Sequence, residues 1–151
     1  MDEVTIRLAH AEDREAIAAC VNAAYKMYIE RMGKKPAPML ADYAALITAG
    51  VVYVIPADDG VSGIVVLFPR ADHLFLENVA VRPKEQGRGL GKALMAFVER
   101  QARAANLCEI RLYTHERMTE NLAYYRKLGY EEVERRVEDG YHRVFMRKML
   151  P

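Results

Sequence analysis

The sequence is poor in cysteine and has no long apolar run. It contains two cysteines, Cys20 and Cys108, and no tryptophan among 151 residues. Two cysteines so far apart form neither a disulfide framework nor a C-x-x-C metal or redox pair, so a reducing cytoplasm is the expected location. No apolar run approaches the roughly 18 residues of a membrane span. The acidic start at residues 1–4 lacks the apolar core of a signal peptide. We therefore expect a cytoplasmic protein with no membrane partner.

A strong excess of one charge is also missing. Lysine and arginine total 22, and aspartate and glutamate total 21, which leaves a formal net charge of +1. A dedicated nucleic-acid binder is expected to be strongly basic, so we expect no nucleic-acid partner. Hydrophobic residues make up 52% and charged residues 28%, enough of each for a buried core and a solvated surface. At about 100–200 residues per domain, residues 1–151 are predicted to form a single domain.

Hydrophobic spacing predicts an alternation of strands and helices. Val4–Leu8 alternates like a strand, and apolar residues at helical spacing follow Asp13 through about Arg31. The remaining predicted elements are a helix at Asp42–Ala49, strands at Val51–Pro56, Val61–Phe68 and Leu74–Val81, a helix from Leu90 to about Ala105 with a stop at Asn106, a strand at Glu109–Thr114, a helix at Glu120–Leu128, and strands at Glu131–Glu138 and Tyr141–Met149.

The connections between these elements indicate the fold class. Asp59-Gly60 and Asp139-Gly140 are hairpin signals and favour antiparallel pairing. The strand–helix–strand unit from Leu74 to Thr114 needs a crossover and favours one parallel pair. The predicted class is α/β (α+β): a mixed, mostly antiparallel sheet with helices on both faces, in the order β-α-α-β-β-β-α-β-α-β-β.

A glycine-rich segment follows a predicted strand and opens a predicted helix at residues 86–92 (QGRGLGK). Unpaired N–H groups at a helix start attract anions, and glycines let a ligand approach the backbone, so the segment is typical of a pyrophosphate site. It fits neither standard nucleotide motif. Lys92 replaces the third glycine of G-x-G-x-x-G. In G-x-x-x-x-G-K-[ST], Gln86 replaces the first glycine and Ala93 the hydroxyl residue. A plain glycine-rich turn remains the alternative.

This segment resembles the acetyl-CoA motif of the GNAT superfamily of N-acetyltransferases, whose core is [Q/R]-x-x-G-x-[G/A]. Gln86, Gly89 and Gly91 fill that core, and V-A-V-x-P precedes it at residues 79–83. A second block at residues 119–130 (TENLAYYRKLGY) resembles the family's N-x-x-A-x-Y-x-x-x-G-[F/Y] segment. The order of the two blocks and of the predicted elements also matches, so the resemblance covers essentially the whole chain.

The resemblance implies acetyl-CoA as cosubstrate and a set of residues that bind it. Backbone amides of the loop are expected to hold the pyrophosphate, the strand before it to pair with the pantetheine arm, and Asn121 to contact the arm. Asn121 could instead satisfy the backbone at a helix start. The full expected set is Val79, Ala80, Val81, Gln86, Gly87, Arg88, Gly89, Leu90, Gly91, Lys92, Asn121 and Tyr125.

The resemblance also implies the catalytic residues. Tyr125 occupies the position of the family's tyrosine acid, with Tyr124 as its neighbour and a plain core role as the alternative. Glu77 is the candidate base, since a carboxylate in an apolar strand is costly unless it is paired or functional. An ion pair, a helix-capping role, or proton relay through water remain open for it. The first helices are expected to line the acceptor side with Tyr25, Tyr28, Arg31, Met32 and Tyr43, and core packing explains most of these residues equally well.

The remaining expectations concern metal, acceptor and alternatives. The four histidines form no H-x-x-x-H pattern, so no metal is expected. His115 is expected in a solvated loop, with a proton relay as the alternative. The expected function is acetyl transfer to a primary amine on a small molecule or peptide, with a possible homodimer. The alternative is a non-catalytic module that senses acyl-CoA.

Overall fold

Seven strands form one sheet in the order β1-β2-β3-β4-β5-β7-β6 in a computed structural model, which describes residues 4–151. The β4–β5 pair is parallel, whereas β1–β2, β2–β3, β5–β7 and β6–β7 are antiparallel. This is the mixed, mostly antiparallel sheet that the sequence predicts. The strands are β1 Arg7–Leu8, β2 Val52–Ala57, β3 Gly60–Pro69, β4 Leu74–Val81, β5 Glu109–His115, β6 Glu131–Glu138 and β7 Tyr141–Met149.

Five α-helices connect the strands. They are α1 Arg14–Tyr25, α2 Tyr28–Met32, α3 Tyr43–Thr48, α4 Leu90–Ala104 and α5 Thr119–Lys127, and 3-10 turns occur at Ala11–Asp13, Ala37–Leu40 and Pro83–Glu85. The single helix predicted through about Arg31 is therefore divided after Tyr25. The backbone stays right-handed there, but Ile29 N–H donates to Lys26 C=O, three residues back, so the turn tightens. Tyr25 and Tyr28, on either side of this turn, are both buried.

The two predicted hairpins are confirmed. Ala57 pairs with Gly60 at the end of β2, and Glu138 pairs with Tyr141 at the end of β6. In the second turn Asp139 and Gly140 both have positive φ, 52° and 80°. A two-residue turn with two left-handed residues matches the right-handed twist of its strands, which is why Asp-Gly is favoured here.

The helix α4 follows the predicted periodicity and stops where predicted. Leu94 and Val98 are fully buried on its apolar face. Asn106 adopts φ 59°, and Leu107 N–H donates to Ala102 C=O, five residues back. This is the left-handed termination that a short polar side chain tolerates.

The chain divides into two compact units. The first comprises the chain up to Leu67 together with Asn78–Val98, and the second comprises Phe68–Glu77 together with Glu99–Pro151. Each has its own apolar core. The first is centred on Ile17, Val21, Val54, Ile64 and Leu94, and the second on Leu74, Leu76, Ile110, Leu112 and Met146. No helix within residues 4–151 is long and apolar enough to cross a membrane.

The strand β6 lies at one edge of the sheet and pairs on its other side with β7. Its sequence is EEVERRVE, and seven of its eight residues are exposed. Ion pairs run along it, from Arg135 to Glu132 at 2.9 Å and from Arg136 to Glu134 at 2.6 Å. Six of the eight residues at this edge are therefore charged, with Val133 and Val137 exposed among them.

Candidate active site

The glycine loop has a backbone that only glycine adopts readily. Gly87 has φ 85° and Gly89 has φ 81°, in the left-handed region. A Cβ built on either residue would meet no heavy atom within 4 Å. The two glycines are thus required by the turn itself, and the space beside them is open.

The helix α4 begins directly after this turn. Ala93 N–H donates to Gly89 C=O at 3.0 Å, which closes the first helical turn. The N–H groups of Leu90, Gly91 and Lys92 precede that bond and have no partner within the helix. Together with the helix dipole they form an electropositive backbone surface at the end of the loop.

Ion pairs hold the loop's side chains against the protein. Glu85, only 8% exposed, accepts from Arg82 at 2.7 Å and from Arg88 at 2.6 Å. Arg82 also donates to Asp59 at 2.7 Å, and Lys84 binds the same carboxylate. The hydrogen bond from Arg82 holds the pKa of Glu85 below its usual value. Arg88 stays exposed while it pairs with Glu85, so the loop presents both its backbone and this guanidinium.

The last residues of β4 direct their backbone groups to two sides. Arg82 N–H donates to Ser62 C=O of β3 at 2.9 Å, so by the alternation of a strand Ala80 also faces β3, whereas Val79 and Val81 face away. The carbonyl of Val81 accepts from Gln86 Nε2 at 3.2 Å, on that second side. Of the predicted strand contacts, Val79 and Val81 therefore direct backbone groups away from β3, whereas the backbone groups of Ala80 are on the side of β3.

The pairing of β4 with β5 is short. Leu74, Phe75 and Leu76 pair with Ile110, Arg111 and Leu112. Within the described chain the parallel ladder ends there, although β4 continues to Val81 and β5 to His115. Val79 and Val81 take no part in this ladder, and their carbonyls accept side-chain hydrogen bonds from Tyr25 and Gln86 instead.

A buried hydrogen-bond network was missed by the sequence analysis. Tyr25 O–H donates to Asn78 Oδ1 at 2.7 Å and to Val79 C=O at 3.1 Å. Asn78 Nδ2 donates to Tyr43 Oη at 3.0 Å, and Tyr43 O–H donates to Pro38 C=O at 2.6 Å. The sequence did offer a signal, since an asparagine stands at a buried position of the apolar strand β4.

Glu77 lies in the second unit, on the half-buried side of β4. Its Oε2 atom is buried without a hydrogen-bond partner, and no ion pair to it occurs in residues 4–151. Burial raises the pKa of Glu77, and the charges of Arg70 and Arg143 oppose that shift. The ion-pair and helix-capping alternatives are thus not supported, and the carboxylate has an unused acceptor atom.

The aromatic ring of Tyr113 is close to this carboxylate. It contacts Phe75 of β4 with centroids 5.7 Å apart, and the Arg143 guanidinium lies over it at 4.2 Å. Burial raises the pKa of Tyr113, and the charge of Glu77 adds to the increase. The surroundings of Glu77 in the second unit are therefore aromatic and cationic.

The helix α5 distinguishes the two adjacent tyrosines. Tyr125 is 7% exposed and packs edge-on against Tyr130, with centroids 5.8 Å apart, whereas Tyr124 is 38% exposed. Burial raises the pKa of both Tyr124 and Tyr130. The hydroxyl of Tyr130 is buried without a partner. Tyr125 is thus more deeply buried than Tyr124.

Asn121 does not cap the backbone of its helix through the bond seen here, and His115 does not lie in a solvated loop. Asn121 Nδ2 donates to Met118 Sδ at 3.5 Å, so its recorded bond is not a backbone cap. Asn121 also stands one residue closer to Ala123 than the family motif places its asparagine. His115 is buried at the end of β5, where Nδ1 accepts from Arg117 N–H at 3.0 Å. The expectation of a solvated loop histidine was wrong, because the strand extends through it.

The two units divide the predicted site residues between them. The first contains the end of β4 and the loop through Lys92, and the second contains Glu77, Asn121 and Tyr125. No group of three or more metal-ligating side chains occurs in the part of the chain that the structure describes.

The model of the Acetyltransferase (GNAT) family matches residues 17–130, which span the glycine loop and α5. The chain belongs to this family. As a GNAT acetyltransferase it is an acyltransferase by class. No curated protein matches its sequence.

Solved structures of GNAT proteins share the fold. PaiA N-acetyltransferase from Thermoplasma acidophilum, solved with coenzyme A, has a TM-score of 0.75 and 21% identity over 98% of this chain and 99% of that one. N-acetylglutamate synthase from Neisseria gonorrhoeae, solved with coenzyme A and N-acetyl-glutamate, has a TM-score of 0.74 and 20% identity over 100% of this chain and 36% of that one. IAA acetyltransferase from Bacillus cereus has a TM-score of 0.69 and 20% identity over 98% and 100%. At these identities the likeness establishes the fold.

Proposed function

We propose that this GNAT protein transfers the acetyl group of acetyl-CoA to a primary amine by direct attack in a ternary complex. The observation that carries the proposal is the start of α4, where the N–H groups of Leu90, Gly91 and Lys92 follow two left-handed glycines. Fixed backbone amides of this kind suit a pyrophosphate. The two similar structures that contain coenzyme A support CoA as the ligand.

The end of β4 would hold the pantetheine arm. Val79 and Val81 direct backbone groups away from β3, and the ladder with β5 ends before them. An extended arm with amide groups can take the place of a missing strand there. The N–H of Val79 would then meet the thioester carbonyl, where negative charge develops during attack.

Proton transfer to the protein begins the reaction. An alkylammonium has a pKa of about 10.4 and must lose a proton before it can attack. Glu77 offers a buried acceptor oxygen, and its raised pKa makes it a stronger base than an ordinary glutamate. We propose that Glu77 takes this proton, directly or through one water molecule.

Proton transfer from the protein ends the reaction. The amine nitrogen forms a bond to the acetyl carbon and the carbon–sulfur bond breaks, so the electron pair of that bond leaves on the CoA sulfur. Tyr125, buried against Tyr130, would protonate the thiolate. The proton that the nitrogen loses as the amide forms returns to the tyrosinate, and protonated Glu77 releases its proton to solvent, which restores the starting state. The net products are an amide, CoA thiol and one proton.

A panel of amines with acetyl-CoA tests the proposal. Release of free CoA thiol would be measured with polyamines, amino acids, aminoglycosides, peptide N-termini and lysine peptides, using Gly89→Glu as the inactive control. We expect at least one amine class to release thiol at a rate that depends on amine concentration. Binding of acetyl-CoA with no release across the panel would instead indicate the acyl-CoA sensor.

A further inference from the structure

The hydrogen bonds that join Tyr25, Asn78 and Tyr43 to one another and to the backbone have defined directions. Tyr43 gives its only proton to Pro38 C=O, so its oxygen must accept from Asn78 Nδ2. Asn78 Oδ1 therefore faces Tyr25, which shares its one proton between this atom and Val79 C=O. The network has one consistent arrangement, and its end is the backbone of Val79.

The cost of this arrangement suggests that it does more than fill the core. All three side chains are buried, and buried polar groups require partners that leucine or phenylalanine would not need. The network joins α1, α3 and β4, three elements that are separate in sequence. A polar network with a single arrangement restricts its members to one geometry.

Val79 is the residue whose geometry matters for the reaction. The N–H and C=O of one strand residue point to the same side of the strand. Tyr25 therefore engages Val79 on the side to which its N–H is directed. We infer that Tyr25, Asn78 and Tyr43 are positioning residues that orient the Val79 N–H toward the thioester carbonyl of acetyl-CoA; the inference rests on the proposed function.

Free CoA lacks the thioester carbonyl, which provides a test that needs no acceptor amine. Dissociation constants for acetyl-CoA and for CoA would be measured by calorimetry with wild type, Tyr25→Phe and Tyr43→Phe. We expect Tyr25→Phe to weaken acetyl-CoA binding by about three- to tenfold, the value of one hydrogen bond, and to leave CoA affinity within about twofold. Tyr43→Phe keeps the hydrogen bond from Tyr25 to Val79, so it should weaken acetyl-CoA binding less than Tyr25→Phe does.

Infrared spectra of bound acetyl-CoA carrying ¹³C at the thioester carbonyl give the second readout. A hydrogen bond lowers the carbonyl stretching frequency, so the wild-type band should lie below that of free acetyl-CoA. In Tyr25→Phe the band should return toward the free position and broaden. Tyr53→Phe is the matched control: this ring packs on Phe97 with centroids 4.9 Å apart, and no hydroxyl bond is recorded for it in residues 4–151.

The outcomes separate the inference from the proposed function. Wild type that binds neither CoA nor acetyl-CoA would overturn both. Wild type that binds both, with a Tyr25→Phe variant that keeps its acetyl-CoA affinity and band position, would overturn the inference alone. Equal losses of CoA and acetyl-CoA affinity in Tyr25→Phe and Tyr43→Phe would also overturn it, because they indicate a purely structural role.

Discussion

Gly89→Glu separates the binding role of the loop from its backbone strain. Gly89 has φ 81°, and a Cβ there would meet nothing within 4 Å, so the substitution strains the backbone without a clash. A left-handed non-glycine residue costs about 1–2 kcal/mol. Gly50 has φ 72° and equally open surroundings, outside the loop. Gly50→Glu should therefore lose a similar amount of stability and serve as the matched control.

The two variants should differ only in CoA binding. At an effective dielectric constant near 20, two unit charges about 4 Å apart repel by about 4 kcal/mol, so a glutamate at residue 89 opposes the pyrophosphate strongly. CoA at a hundredfold excess over its dissociation constant should stabilise wild type and Gly50→Glu by about 2.7 kcal/mol. Gly89→Glu should show almost none of this stabilisation.

Urea unfolding with and without CoA measures these free energies, and calorimetry gives the affinities directly. A Gly89→Glu variant whose CoA affinity falls by less than about tenfold, or about 1.4 kcal/mol, would refute the assignment of the loop. An equal loss of CoA affinity in Gly50→Glu would show that backbone strain alone weakens CoA binding, and it would refute the use of this variant as a control.

Four further predictions concern other parts of the molecule. Tyr125→Phe should lower kcat by about 10²–10⁴-fold with little change in acetyl-CoA affinity, whereas Tyr124→Phe, at an exposed residue, should change kcat little. Steady-state kinetics with an acceptor from the panel measures both variants. A Tyr125→Phe enzyme with a kcat within about threefold of wild type would argue for core packing alone. Because burial raises the pKa of Glu77, the folded state holds its proton to higher pH than the unfolded state, so this group's contribution to stability falls as pH rises through the raised pKa. Glu77→Gln should therefore lose activity yet gain stability relative to wild type between about pH 4 and pH 8 in urea titrations, and a variant less stable at neutral pH would contradict this. CoA should raise the Tm equally with and without EDTA, since the proposed site consists of backbone amides; a shift abolished by EDTA would require a metal. Gly63→Val should lower the free energy of unfolding by about 1–3 kcal/mol, because a Cβ built on residue 63 would lie 3.2 Å from the carbonyl oxygen of Ala80. An unchanged midpoint of urea unfolding would contradict this close packing.

Most elements of the fold could be predicted because the residues of a turn or a helix end themselves determine the backbone conformation there. Asp139-Gly140 specifies its turn through two left-handed residues, and Asn106 ends α4 for the same reason. The alternation along β4 correctly separated Glu77 from its buried neighbours. The division after Tyr25 could not be predicted, because it depends on what Tyr25 contacts in the folded chain.

Parts of the candidate site that are contiguous in sequence could be proposed from their motifs, whereas parts that form through tertiary contacts could not. The loop at Gln86–Lys92 is continuous in sequence, whereas the bond from Tyr25 to Asn78 joins residues 53 positions apart. The burial of His115 likewise depends on its neighbours Tyr141 and His142 in another strand. The roles of Glu77 and Tyr125, the acceptor amine and a homodimer stay predictions.

The charged edge strand β6 has a consequence for self-association. Another chain that added a strand there would need to bring its own backbone alongside Glu132, Glu134, Arg135 and Arg136, whose charges already neutralise one another in pairs. Such an approach would strip water from these charges without offering them better partners. We expect the sheet to resist extension by a second molecule at this edge. Replacing the four charges with threonine or valine should instead favour fibrous aggregates, which thioflavin fluorescence and light scattering would detect.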